Sequence, residues 1–506
     1  MMHYLLPHIF LKTINAYKTK TALIIGDETY SYWSVYEDSL RLVQHMSLTI
    51  EKNAGRVIIL GANTYATVIA FWATVLSGMV PCLIDHEVNE QTLSEIIKNI
   101  NPKMVVFDNI TDAQFNCIVS FEVPYISELC ERIRIDLDFY DLKYISTESD
   151  LAIIMHTSGS TGIPKGVMLS HRNVLAAIES ISSYLTLNSS DVILSVLPMH
   201  FDYGLYQMLL AFNCGATLVL EKNLLFPNLV ANKISRHCVS ILPCVPLMVQ
   251  LFHITSKRYA YDFSSLRLVT NTGENITLTH IEKIYKIFPK AKLISMYGLT
   301  ECKRCSYVPH SMLNKKTGSI GIPMPNLKMW IQDSNGKLLG KHIEGNLVIS
   351  GPTVMMGYWN DPIETAKKIT TDEYGQKVLL SGDRAVMDED GYFYFKGRND
   401  FIVKYKGAKL NTYEYIEKLS HVSHINRTYI FINKNEPDDQ KLVVCVESDS
   451  INCNINYLKM IILSKFPSTQ KPDYIYFSDR FPSLSNGKLN KHVLENMALK
   501  NSLVYH

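Results

Sequence analysis

Between Met155 and Val174 the chain reads MHTSGSTGIPKGVMLSHRNV, a stretch rich in glycine and hydroxyl residues with a single lysine, Lys165. Small residues let backbone N–H groups approach an anion closely, so a loop of this kind suits phosphate. The Walker pattern G-x-x-x-x-G-K-[ST] is not met, because Lys165 follows Pro164 and precedes Gly166. The loop follows the apolar run LAIIM and precedes a helical pattern. Strand, loop and helix is the expected setting for a polyphosphate cradle. An ordinary surface loop of the same composition is the alternative.

The elements that must position such a loop follow from composition and periodicity. The chain has 506 residues, 47% hydrophobic and 19% charged, which suits a globular protein of more than one domain. A formal net charge of +2 gives no global field toward nucleic acid or an anionic membrane. Ten cysteines without regular spacing speak for a reduced cytoplasmic protein rather than a disulfide framework. Cys302 and Cys305 form a C-x-x-C, but no second pair stands near to complete a zinc site. The N-terminus lacks a basic leader, so a signal peptide is not expected. Residues 57–84 carry no charge and have the length of a membrane span. Asn63, Gly78 and Pro81 favour strand, helix, strand within a buried α/β unit.

Short apolar runs alternate with helical patterns up to about residue 300: 103–108, 151–157, 191–198, 216–221, 239–246, 266–273 and 292–298. Such alternation predicts mostly parallel sheets covered on both faces, with ligand loops at the strand ends. Short strands with Gly and Asn-Gly turns follow, then a compact α+β pattern. The expected architecture is α/β: a large N-terminal domain over 1–398, made of two parallel-type α/β subdomains and a small β-barrel module at about 302–396. A small, mobile α+β C-terminal domain follows over 399–506.

Further stretches join the loop in a fixed order: NTGENI (271–276), YGLTE (297–301), SGD (381–383), GRNDFIVKYKG (397–407) and SNGK (485–488). Together they resemble the AMP-forming adenylating enzymes, a superfamily of acyl-CoA synthetases, nonribosomal peptide synthetase adenylation domains and firefly luciferase. The resemblance covers nearly the whole chain. It implies that Thr157, Ser158, Gly159, Ser160, Thr161, Gly162 and Lys165 hold the β- and γ-phosphates of ATP. Gly273, Glu274 and Asn275 fall where adenine is recognised, as a looser match. Tyr297 and Gly298 belong to the motif whose tyrosine stacks on adenine. Thr300 is expected on the α-phosphate and Glu301 on Mg²⁺. Asp383 is expected to accept from the ribose hydroxyls, Arg398 to lie near ribose or phosphates, and Asp400 to serve as the inter-domain hinge. Lys488 is the implied catalytic lysine, its ammonium bridging the substrate carboxylate and the α-phosphate.

The acid is less legible. FDYG places Phe201, Asp202 and Gly204 in the segment that lines the acyl pocket in the family. Asp202 reads either as the partner of an amino-acid ammonium or as a structural carboxylate at a helix start. The acceptor implied is CoA or a separate carrier protein bearing phosphopantetheine. A stand-alone amino-acid adenylating enzyme loading a carrier protein is the second reading. A luciferase-like oxygenase or a non-catalytic nucleotide binder is a third, disfavoured by Lys488, Glu301 and Asp383. Nucleic acid and membrane insertion are not expected.

Overall fold

The computed structural model describes residues 5–49, 55–108, 111–118, 146–157, 164–222, 226–274, 276–398, 401–405, 408–422, 424–433, 440–448, 455–467, 470–484, 488–501 and 503–504. Contacts divide the chain into two units, Met1–Met329 with Ile349–Leu380, and Trp330–Val348 with Ser381–His506.

The first unit is built on two sheets. In one, Met104–Phe107, Arg56–Leu60, Val80–Ile84 and Leu151–Thr157 lie side by side and parallel. These strands are buried almost throughout, as strands covered on both faces must be. The uncharged stretch folds as strand, the helix Tyr65–Leu76, then strand. That helix is apolar all round because it is buried all round: Trp72 packs against Phe10 at 4.5 Å and Phe212 at 5.2 Å between ring centroids. No described helix is long and apolar enough to cross a membrane.

In the other sheet, Thr217–Leu220, Val192–Ser195, Ile241–Cys244, Leu268–Asn271 and Lys292–Leu299 run parallel in that order. Each apolar run expected as a strand is one. Because the five are parallel, their C-terminal ends share one edge, where residues 196–204, 272–274 and 300–301 emerge. On the far side Cys302–Val308 pairs antiparallel with Lys292–Leu299.

Two expectations need correction. The glycine-rich loop does not run into a helix. It joins Leu151–Thr157 to an antiparallel strand, Lys165–Ser170, and Thr157 pairs with Lys165 across its neck. Alternating burial at Val167 and Leu169 commits this segment to the sheet, and the helix begins only at His171, capped by the Ser170 hydroxyl. The loop is therefore a hairpin connection rather than a helix N-terminus. The strands between 328 and 398 do not close into a barrel either. Lys328–Gln332, Gly345–Ser350, Lys377–Met387 and Phe393–Arg398 lie in an open row with Lys328–Gln332 at its end. Closure would require that end strand to pair a second time.

In the second unit, Ile425–Asn433 pairs antiparallel with Lys441–Ser448, which runs parallel to Tyr474–Ser478. The helices Thr412–Ser420 and Ile455–Ser464 cover one face, and Leu419, Leu442, Val444, Val446, Leu458 and Ile462 form a core fully removed from solvent. This is a self-contained α+β arrangement.

Candidate active site

The motif Tyr297–Glu301 lies where two strands of the first unit turn back on each other. Leu299 pairs with Cys302, so Thr300 and Glu301 form a two-residue tip. Below the tip the register slips between Leu299 and Tyr297, and Gly298 alone faces Lys303, Arg304 and Cys305. Arg304 takes up the extra length in a left-handed conformation, φ 53°. A Cβ on residue 298 would lie 3.0 Å from the Arg304 backbone, so glycine lets the two strands close tightly at the bulge.

The bulge turns two basic side chains inward. Lys303 and Arg304 are only 2% and 3% exposed. Lys303 Nζ lies 2.9 Å from Asp202 Oδ2 and 4.8 Å from the centre of the Tyr206 ring. The Arg304 guanidinium stacks over Tyr203 at 4.4 Å. Tyr203 donates its hydroxyl hydrogen to the Thr270 carbonyl oxygen at 3.0 Å, and its oxygen lies within hydrogen-bond distance of Thr270 Oγ1 at 2.7 Å. Burial pushes the phenols of Tyr184, Tyr203 and Tyr206 well above their usual range, so all three are neutral.

Asp202 opens the helix Asp202–Cys214, whose N-cap residue Phe201 makes no side-chain cap. Gly204 lets this helix start beneath the loop before it: a Cβ there would lie 2.1 Å from the Pro198 carbonyl oxygen. Asn63 pins the same loop. Its amide donates to the Leu197 and Glu221 carbonyls at 3.0 and 2.9 Å and accepts from Met199 N–H at 3.0 Å. The Phe201 ring tip reaches the site of Gly273, 3.7 Å from where a Cβ would stand. The acyl-pocket and adenine segments named from the sequence thus meet, although Asn275 lies outside the described residues.

A second cluster joins the glycine-rich loop to the hairpin tip. The strand Gly357–Tyr358 pairs antiparallel with Lys165–Ser170. The Tyr358 hydroxyl donates to Glu301 Oε1 at 2.7 Å, and the Lys165 ammonium lies 5.5 Å from the Tyr358 ring centre. Lys165 also donates to Glu364 Oε2 at 2.6 Å. The hydrogen bonds from Lys165 and then Lys367 hold the Glu364 carboxyl down to about 2. Ser158, Gly159, Ser160, Thr161 and Gly162 lie outside the described residues; Thr157 and Lys165 mark the neck of their loop.

In the second unit Asp383 and Arg398 face each other across two antiparallel strands, with Arg398 Nε 3.3 Å from Asp383 Oδ1. Asp383 is 2% exposed, and its backbone N–H donates to the Ser381 hydroxyl at 3.1 Å. The Lys488 carbonyl accepts from Leu484 N–H at 2.8 Å. Asp400 lies outside the described residues.

Sequence reasoning missed Tyr358, Glu364, Lys303 and Arg304. The last two were marked in principle: two adjacent cations inside the apolar run CKRCSYV cannot both face solvent on a strand. Among the described residues no group of three or more His, Cys, Asp or Glu gathers as a metal cage, and Cys302 Sγ lies 3.2 Å from Thr353 Oγ1.

A family model described as AMP-binding enzyme matches residues 10–359. Bacitracin synthase 1 of Bacillus licheniformis is 26% identical over 486 residues; the match takes in 94% of this chain but only 9% of that protein. Long-chain-fatty-acid–CoA ligase of Bacillus subtilis (strain 168) is 26% identical over 458 residues, covering 82% of this chain and 80% of the ligase. Among solved structures, ATP-bound MatB from Rhodopseudomonas palustris matches with a TM-score of 0.85 at 19% identity, over 97% of this chain and 99% of that one. VinN in complex with L-aspartate matches with a TM-score of 0.71 at 25% identity, over 78% of this chain and 100% of that one.

Proposed function

The chain belongs to the AMP-binding enzyme family, and from that membership we propose that it is an ATP-dependent, AMP-forming acid–thiol ligase. A carboxylate oxygen attacks the α-phosphorus of ATP, and the bond to pyrophosphate breaks. The acyl-adenylate then loses AMP to a phosphopantetheine thiol, of CoA or of a separate carrier protein. The observation that carries this reading is the link from Lys165 through Tyr358 to Glu301. It ties the neck of a phosphate-type loop to the hairpin tip bearing the one hydroxyl and one carboxylate that the reaction needs.

The residues present fit Mg²⁺. Glu301 offers hard oxygen, and an ion that keeps waters and phosphate oxygens asks for one or two carboxylates rather than a protein cage. When bound, the ion neutralises phosphate charge. Tyr358 orients the Glu301 carboxylate by donating to one oxygen, and the other oxygen would hold the ion. Thr300 donates its hydroxyl toward the α-phosphate. Lys165 guides the terminal phosphates, and Asp383 with Arg398 receives the ribose. Lys488, by its resemblance to the family lysine, meets the charge that builds during in-line attack. Eight described cysteines are free and ATP is the co-substrate, which supports a cytoplasmic location.

An amino-acid substrate is the second reading, favoured by the relation to a bacitracin synthase and to an L-aspartate-bound protein. Against its simplest form, the Asp202 carboxylate already has the Lys303 ammonium beside it. The ligase and synthase relatives support neither an oxygenase nor a non-catalytic role. ATP–pyrophosphate exchange over a panel of fatty, aromatic, dicarboxylic and amino acids tests the proposal. Exchange should appear with Mg²⁺ and one class of acid. A protein that binds ATP yet exchanges with no acid would count against a ligase.

A further inference from the structure

We propose that the acid activated at this site carries a second carboxylate, and that Arg304 holds it; this rests on the ligase reading above. Arg304 is 3% exposed and permanently charged. A buried cation is costly unless an anion stands beside it. Its neighbour Lys303 has Asp202 at 2.9 Å, so that carboxylate answers one of the two charges. No carboxylate among the described residues lies within ion-pair distance of Arg304, and its Nε is buried without a hydrogen-bond partner there. The hydroxyl of Tyr206, on the helix that Asp202 begins, is likewise buried without a partner among the described residues. Arg304 thus has no carboxylate beside it among the described residues, and two donors, its Nε and the Tyr206 hydroxyl, stay unused in an aromatic setting that also holds the Tyr184 phenol.

The geometry fits a planar anion. Tyr203 covers one face of the guanidinium at 4.4 Å. Stacking leaves the N–H groups at the edge of the plane; the Tyr184 phenol bonds this side chain, and the N–H groups it does not take can bind a carboxylate. The backbone invests in this placement. Arg304 sits at φ 53° inside the bulge opposite Gly298, a conformation retained where the surroundings over-determine it.

The carboxylate held here is not the one that reacts. The reacting carboxylate belongs beside the Thr300–Glu301 tip. Arg304 instead lies beyond the bulge, stacked on a tyrosine anchored to Thr270 within the strand Leu268–Asn271. An oxygen clamped by a buried guanidinium would also be a poor nucleophile. The occupant is therefore the far end of a dicarboxylic acid, with or without an amino group between.

The test is ATP–pyrophosphate exchange by the full chain with matched acids: succinate against butyrate, glutarate against pentanoate, and L-aspartate against L-2-aminobutyrate. The diacid of at least one pair should win by about 100-fold or more, because a site built around a polar group rejects the analogue lacking it. The aspartate pair reads separately whether an amino group is also accepted. Arg304→Met should erase the diacid preference while exchange with the matched monoacid persists or rises, and Arg304→Lys should restore part of it. Exchange confined to monocarboxylic acids overturns this inference and leaves the ligase intact. Equal loss for both members of a pair in Arg304→Met, with an unchanged urea midpoint, also overturns it, since Arg304 would then not distinguish them. Exchange with no acid at all defeats the ligase reading itself, and with it this proposal.

Discussion

The phenol of Tyr358 donates to Glu301 Oε1 at 2.7 Å, although 57 residues separate the two in the chain. Tyr358 arrives on a two-residue strand paired with Lys165–Ser170, so the glycine-rich hairpin and the Thr300–Glu301 tip share one tyrosine. That shared contact makes the two motifs one site.

Tyr358→Phe removes the hydrogen bond and keeps the ring beneath Lys165. A hydrogen bond to a charged group contributes roughly 1.5–3 kcal/mol, so exchange should fall about 10- to 100-fold. The Mg²⁺ concentration for half-maximal rate should rise, while the melting temperature stays close to wild type. An unchanged Mg²⁺ requirement would separate Tyr358 from the metal.

Lys488→Ala should abolish acyl-adenylate formation with ATP affinity retained. Loss of one preorganised charge at a reacting centre costs on the order of 10²- to 10³-fold. Single-turnover adenylation with equilibrium ATP binding measures both, and adenylation within tenfold of wild type would release Lys488 from the role.

Asp202→Ala decides between the two readings of that carboxylate. It leaves the 2%-exposed Lys303 without the anion at 2.9 Å. Breaking a buried pair by deleting one partner costs about 3–5 kcal/mol, so urea denaturation should register a marked loss of stability. Asp202→Ala with Lys303→Met should recover much of it. A stable single variant that loses only amino-acid activation would instead make Asp202 a substrate contact.

Acid should weaken the first unit through His156 and His171. Burial lowers both imidazoles from 6.5 to about 4, and Leu6 N–H donates to His171 Nδ1 at 3.0 Å, a bond that needs the ring unprotonated. Between these values the unfolded chain binds more protons than the folded one, so stability rises with pH. It is fully present above 6.5 and lost as pH falls toward 4, by about 2 kcal/mol per histidine at pH 5. Urea midpoints at pH 7.5 and pH 5 should diverge less in His156→Leu than in wild type. An identical divergence in the variant would clear His156 of the effect.

Strands, helices and most site positions could be read from local signals, because each rests on a local cause. Apolar runs such as 268–271 must leave water, and the uncharged stretch 57–84 resolved into strand, helix and strand through Asn63, Gly78 and Pro81. Motif order pointed to Thr157, Lys165, Gly273, Tyr297, Thr300, Glu301, Asp383, Arg398 and Lys488. The strand at 165–170 was missed because its apolar centre, Val167–Leu169, is too short to reveal whether it pairs or coils. The open row of strands at 328–398 was missed because closure depends on partners, not on the strands themselves. Only the tertiary structure put Tyr358 on Glu301, Lys303 on Asp202 and Arg304 beneath an aromatic face. Those pairings join residues 57 and 101 positions apart in the first two cases, and a single bulge at Gly298 sets where the last two side chains point. Charge compensation in a buried site is a property of three-dimensional neighbours, and no periodicity along the chain encodes it.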